Sequence, residues 1–232
     1  GLRIGFNIWC LALIALSVYT LFSVFQSESK KTKMISGAVT LGLWGLAAAL
    51  YLRMPGTVNI QPSDFQQFNP FYVVALTPVS LAIFGALAKK GKEPSAPRKI
   101  GLGMLVAAAG FLILTLASFG LQSPKALGGT VSPDLVSPTW LISTYLVLTF
   151  AELLLSPMGI SFVSKVAPPK YKGMMMGGWF AATAIGNYLV SIPGLLWMRV
   201  PLWTVWVVLI IICVIAGVFM FANMKRIESA TE

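Results

Sequence analysis

The chain alternates long apolar runs with short polar breaks. Seven runs have bilayer length, at residues 4–26, 35–53, 69–88, 100–121, 139–164, 173–197 and 202–223. About 20 residues at 1.5 Å rise cross the hydrocarbon core, so each run can span, the longer ones with some tilt. Backbone polar groups in lipid must be satisfied within the segment, so helix is the expected form. The pattern predicts an all-α integral membrane protein of about seven transmembrane helices.

The fifth run, TWLISTYLVLTFAELLLSPMGIS, breaks the apolar pattern. Six of the seven acids fall in loops or ends, and Glu152 is the exception. A charged side chain at the bilayer centre costs about 2.5–3.5 kcal/mol on insertion scales, so it marks a polar cavity by default. Tyr145, Thr149, Glu152 and Ser156 are spaced i, i+4, i+7, i+11 and share one helical face. Pro157 and Gly159 then weaken the backbone ladder just past the acid. The competing reading is a buried glutamate paired with a structural partner.

Other runs disclose less. In the sixth, Trp179, Thr183 and Asn187 share a face at i, i+4, i+8. Asn187 reads first as a structural amide bonded to a neighbouring helix, and Trp179 either as an interfacial anchor or as part of a site. Gly37, Gly42 and Gly45 in the second run permit close helix approach, and Gly173, Gly177, Gly178 and Gly186 in the sixth permit tight packing or local flexing. Runs one and two show no polar constellation and read as packing or lipid-facing helices. Asn69-Pro70 opens the third run, where Asn69 is either a helix cap or a ligand contact. Thr77-Pro78 implies a kink.

Composition fixes the setting. The 232 residues are 57% hydrophobic and 10% charged, with a mean hydropathy of +0.82. Soluble domains carry about 25% charged residues. The net charge of +10 sits in short loops between apolar runs, which is a topology signal and not a nucleic-acid surface. There is no histidine, and Cys10 and Cys213 lie inside apolar runs, so neither a disulfide framework nor a metal site is indicated. One lone Glu without His or a nearby Asp argues against an enzyme. Gly1 begins the chain without an initiator Met, which fits a piece of a longer protein.

At this point the residues resemble a family. Tyr145, Glu152-Leu153 and Ser156-Pro157-Met158-Gly159 are followed by a basic loop, then Met176-Gly177-Gly178-Trp179-Phe180 and Gly186-Asn187. This series is similar to helices ten and eleven of the proton-dependent oligopeptide transporters of the major facilitator superfamily. Upstream, FQQFNPFYVVALTP resembles the start of helix eight. The resemblance covers roughly residues 60–225 and implies a carboxy-terminal six-helix bundle or part of it. Residues 60–232 then correspond to helices eight to twelve, while residues 1–59 form two helices of uncertain assignment.

The resemblance also implies roles for single residues. Glu152 corresponds to the carboxylate that receives the amino terminus of a di- or tripeptide, and Asn69 to an amide near the peptide backbone. Trp179 resembles a pocket-lining aromatic, with Ser156 and Tyr145 as polar groups near the glutamate. The implied activity is proton-coupled peptide symport across a bacterial inner membrane, with the proton as coupling ion and no cofactor. The acidic-arginine motif of the family's first helix is absent, and the second run shows only Trp44 where the seventh helix carries an aromatic stretch. The partners implied are small peptides, protons, membrane lipid and a missing amino-terminal half. Another major-facilitator solute carrier, or a structural membrane subunit, are the alternatives.

Loop charges supply a test of orientation. Thirteen of the 17 basic residues fall in alternate loops, the groups around Lys30–Lys33, Lys89–Lys99, Lys165–Lys172 and Lys225–Arg226. The positive-inside rule places those loops in the cytoplasm. Single cysteines in the Lys89–Lys99 and Lys165–Lys172 loops should therefore escape an impermeant thiol reagent in intact cells, and one at 122–138 should react. The opposite pattern overturns the orientation.

Overall fold

The computed structural model describes residues 8–53, 62–128, 132, 134 and 136–229. Gly1, Arg3, the start of the first run and the 59/60 boundary lie outside the described residues. Seven helices are long and apolar enough to cross a membrane, and the described residues contain no strand. The spans are α1 (Ile8–Gln26), α2 (Lys30–Leu52), α3 (Phe68–Lys89), α4 (Ala96–Ala117), α6 (Thr139–Val166), α7 (Lys172–Leu189) continued by α8 (Ser191–Trp197), and α9 (Leu202–Ala222). Short helices α5 (Pro124–Leu127) and α10 (Met224–Ser229) lie outside them. The chain divides into two compact units at Glu93/Pro94.

The sixth run reads as continuous in sequence, but its helix is interrupted at Val190. Pro193 explains the break: it has no N–H for the Leu189 carbonyl four residues back, and its ring crowds that carbonyl. By contrast α3 runs unbroken through Pro78 and α6 through Pro157. In α3 the Thr77 hydroxyl donates to the Val73 carbonyl at 2.5 Å, one turn back.

In the first unit, α1 and α2 form an antiparallel hairpin held by a seam of polar groups. Trp44 Nε1 donates to Ser17 Oγ at 2.9 Å, Thr20 and Thr40 hydroxyls meet at 2.7 Å, and Ser36 Oγ donates to Ser23 Oγ at 3.2 Å. Ser17 and Thr40 are each 2% exposed. A hydroxyl has one proton, so one threonine donates across the seam while the other bonds its own helix, Thr20 to Ser17 O or Thr40 to Ser36 O. The packing role expected for these runs holds, but through hydroxyls. The glycines contribute little. A Cβ added at Gly42 or Gly45 would meet no atom within 4 Å, contrary to expectation, and one at Gly37 would meet only Val24 at 3.9 Å. Helix α3 also packs on α1, and an aromatic cluster of Phe65, Phe68, Phe71 and Tyr72 surrounds its first turn.

The second unit is built around α4, which packs on α6 and α9. Gly103 lies against α6, where a Cβ would come 3.0 Å from the Ala151 carbonyl oxygen and 3.1 Å from Leu154 Cβ. One heptad on, Gly110 faces Leu148. On the other side Gly101 meets the Phe221 ring and Gly217 of α9 meets Leu105. Removing Cβ atoms lets backbones approach, which is how membrane helices gain dispersion contacts.

Polar ties close both ends of this unit. At one end, Trp206 Nε1 donates to Ser118 Oγ at 3.0 Å, with Trp203 against Phe119 and Trp197 edge-on to Trp206. At the other, Ser95 caps α4 by accepting from the Arg98 N–H. The Ser95 hydroxyl also donates to Glu228 Oε1 at 2.6 Å, and Arg98 Nε donates to the same oxygen at 2.9 Å. These bonds to Ser95 and Arg98 hold the Glu228 carboxyl below the usual carboxylate range, overcoming its partial desolvation. The contribution of a carboxylate with a depressed folded pKa is present above its unfolded pKa and disappears as pH falls through the folded one. The tie is therefore intact at neutral pH.

The glycine contacts make a graded prediction. Gly103→Ala sets a methyl against backbone and Cβ, which cannot turn aside, and should destabilise by about 1–3 kcal/mol. Gly110→Ala crowds only side-chain atoms of Leu148, at 2.8 Å from Cδ2 and 3.0 Å from Cγ, and a rotamer change can relieve it, at a cost under about 1 kcal/mol. Thermal unfolding of the two variants in detergent measures the order. A larger loss for Gly110→Ala contradicts this account of α4.

Candidate functional site

Helix α6 supplies most of the candidate residues. Its contact stripe toward α4 contains Val147, Leu148, Ala151, Leu154 and Leu155. At 100° per residue, the stripe Tyr145, Thr149, Glu152, Ser156 lies roughly 100–160° around the helix from Ala151. The polar face is thus not the face that α4 covers. Its members differ in burial: Thr149 is fully buried, Tyr145 is half-buried, and Glu152 and Ser156 are exposed. Glu152 therefore sits near the middle of a 28-residue membrane helix with its side chain accessible.

Helix α7 adds Trp179 to this stripe. Its indole occupies the place where a Cβ on Gly159 would stand: such a carbon would overlap Cη2 and Cζ2 and lie 3.1 Å from Cζ3. Gly159 follows Ser156 by three residues and Glu152 by seven, so the ring seats on the extension of the acid's own stripe. The Thr183 hydroxyl donates to the Trp179 carbonyl at 2.9 Å, a bond within α7. The other expected glycine contacts do not form. A Cβ at Gly173, Gly177, Gly178 or Gly186 would meet no atom within 4 Å, and α7 has no buried residue.

Asn187 departs from its expected structural role. It is exposed, and among the described residues no hydrogen bond carries its amide to a neighbouring helix. Eight residues separate it from Trp179, about 12 Å of rise. The same count leads from Gly159 back to Ala151, so in antiparallel helices Asn187 stands near the depth of Glu152. The shared face of Trp179, Thr183 and Asn187 was the sequence signal for this placement.

Asn69 comes from α3. It is half-buried in the first turn of α3 and belongs to the first unit, whereas Tyr145, Glu152, Ser156 and Trp179 belong to the second. The cap reading of Asn69 is corrected by the structure. The cap position is Gln67, following a 3-10 turn at Pro62–Gln67, and Asn69 lies inside the helix. Pro70 occupies the first turn, where its missing N–H is harmless.

Seven helices long and apolar enough to cross a membrane, one with an exposed glutamate in mid-span, define a multi-pass membrane protein. A sequence model of the POT family matches residues 10–196. The chain belongs to that family, whose members are transporters and not enzymes. The match takes in α1 and α2, which the resemblance alone leaves unassigned.

Among curated relatives, Peptide transporter YePEPT of Yersinia enterocolitica is 38% identical over 130 residues, 56% of this chain and 24% of that protein. Dipeptide and tripeptide permease B of Salmonella typhimurium is 31% identical over 205 residues, 78% of this chain and 40% of that protein. The chain thus spans between a quarter and two fifths of the relatives it matches. Among solved structures, the peptide transporter POT in complex with sulfate superposes with a TM-score of 0.58 at 23% identity, covering 95% of this chain and 40% of that one. A POT family transporter in complex with a thioalcohol-conjugated peptide gives 0.55 at 22% identity, covering 94% and 41%. These likenesses establish the major-facilitator fold.

Proposed function

We propose that this chain is the carboxy-terminal part of a proton-coupled symporter of di- and tripeptides, and that it supplies one wall of the substrate site. The observation that carries the reading is the accessible Glu152 carboxylate in mid-span, on the stripe where Trp179 is seated. The names of the relatives, peptide transporter and dipeptide and tripeptide permease, agree with it.

Peptides share two charged ends and a backbone while their side chains vary. A site that fixes the ends with a few polar groups and leaves roomy apolar pockets binds many of them. In this reading Glu152 receives the peptide ammonium by a charge-assisted hydrogen bond, strengthened where water is scarce. Ser156 and Tyr145 are polar neighbours on the same stripe, and Trp179 lines an apolar pocket. The division of the chain into residues 1–59 and the bundle 60–232 belongs to the same proposal, as does the bacterial inner membrane as location. An amino-terminal half completes the cavity, since transporters of this build bind substrate between two halves that rock against each other. That half would also carry most of the proton coupling.

The test uses the full-length protein. Glu152→Gln keeps the shape and removes the charge, leaving the bound ammonium without a counter-charge. Losing one partner of such a desolvated pair costs a few kcal/mol. The variant should therefore bind a free-amine dipeptide at least about 30-fold more weakly, and should lose far less affinity for the same dipeptide with its amino terminus acetylated. Isothermal titration or competition uptake reads both. Equal losses for the two ligands would assign Glu152 to the fold or the proton step, and a full-length protein that takes up other solutes but no peptide would overturn the reading.

A further inference from the structure

We infer that Gly159 positions Trp179 and thereby limits the size of the peptide side chain admitted beside Glu152, an inference that rests on the peptide-symport reading. Of the two groups only Trp179 would touch substrate; Gly159 acts through it. Several glycines in the chain sit in close contacts, but their partners are aliphatic side chains, a phenylalanine ring or the α6 backbone. Gly159 alone among the described glycines gives its space to a candidate site residue. It is buried, and the Trp179 indole fills the volume a methyl would need.

The contact fixes the ring from one side. Trp179 has two rotatable side-chain bonds and a rigid bicycle, so it cannot fold its edge away as Leu148 can at Gly110. Its Thr183 hydrogen bond involves the main-chain carbonyl and leaves the ring unconstrained. No residue of α7 is buried, so little else pins this helix against α6 at that level. The geometry therefore makes the missing Cβ of Gly159 the determinant of how near to α6 the indole lies. Ser156 is one turn away along α6, about 4.5 Å of rise, and Glu152 two turns, about 10.5 Å. A methyl at 159 would drive the ring off α6 into the space alongside that stripe, where a bulky side chain would otherwise go.

The experiment has a structural and a functional arm, both on the full-length protein. In 5-fluorotryptophan-labelled protein, the fluorine resonance that disappears in Trp179→Phe reports the ring. It should shift in Gly159→Ala while the other tryptophan signals stay in place. In uptake assays, Gly159→Ala should raise the ratio of KM for a bulky dipeptide such as Phe-Ala to KM for Ala-Ala by roughly tenfold, the scale of an overpacking clash. The maximal rate for Ala-Ala should change less than about twofold. Adding Trp179→Leu to Gly159→Ala should bring the ratio back to the native value or below it.

An unmoved Trp179 resonance overturns the positioning role, and a moved resonance with an unchanged KM ratio overturns the specificity role. If Gly159→Ala alone does not fold, the double variant decides: recovery of folded protein supports the contact, and its failure overturns it. Absence of dipeptide uptake by the unaltered protein would defeat the peptide reading, while the fluorine arm would still decide whether Gly159 positions Trp179.

Discussion

Lipid gives two apolar helices no reason to leave it for each other, and the second unit is shaped by that constraint. Contact must then come from backbones brought close and from polar groups that pair. Helix α4 does both. Gly103 and Gly110 admit α6, Gly101 and Gly217 admit α9, and pairs at Ser118–Trp206 and Arg98–Glu228 fasten the ends. The closest approach to backbone sets Gly103 on the carbonyl of Ala151, the residue before Glu152. The rotation of α6 about its axis, and with it the direction of the acid, depends on a methyl that α4 does not have.

The same constraint sorts the polar side chains. In the first unit, the hydroxyls of Ser17, Thr20, Ser23, Ser36 and Thr40 are spent on one another and on their own carbonyls. This is the ordinary use of polar groups between membrane helices, and it ties α1 to α2. On α6 the polar stripe points away from the α4 contact, and two of its members, Glu152 and Ser156, remain accessible. A carboxylate left accessible in mid-span is costly against lipid. The arrangement makes physical sense if water or a charged ligand meets it there, and Trp179 is seated on the same stripe.

Much of this was legible in the sequence. Run length and the requirement that backbone be self-satisfied gave seven spans, and the spacing of Tyr145, Thr149, Glu152 and Ser156 gave a shared face. What spacing does not carry is the partner of that face, so it predicted one environment where Thr149 is buried and Glu152 exposed. Glycines misled for a related reason. Gly42, Gly45 and the α7 glycines have the small-residue spacing of a packing motif, yet the close contacts fall at Gly103, Gly110 and Gly159, since only tertiary placement decides which small residue has a neighbour. The hydroxyl seam of α1 and α2 went unread because its members alternate between two runs, and neither run holds a constellation alone. Of the two readings left open for Asn69, the cap fails because a 3-10 turn extends the helical path upstream and moves the cap to Gln67.

The central claim is that the Glu152 stripe of α6 faces an aqueous, ligand-accessible space. Substituted-cysteine accessibility along α6 in the full-length protein tests it directly. Cysteines at 152 and 156 should react with a membrane-impermeant methanethiosulfonate, and a dipeptide should slow the reaction at 156, where Glu152 is still present to bind it. Cysteines at 151 and 154, on the face packed against α4, should react at least about tenfold more slowly, as expected where a thiol is withheld from water and stays protonated. Unreactive cysteines at 152 and 156, or rates that do not distinguish the two faces, would contradict the account.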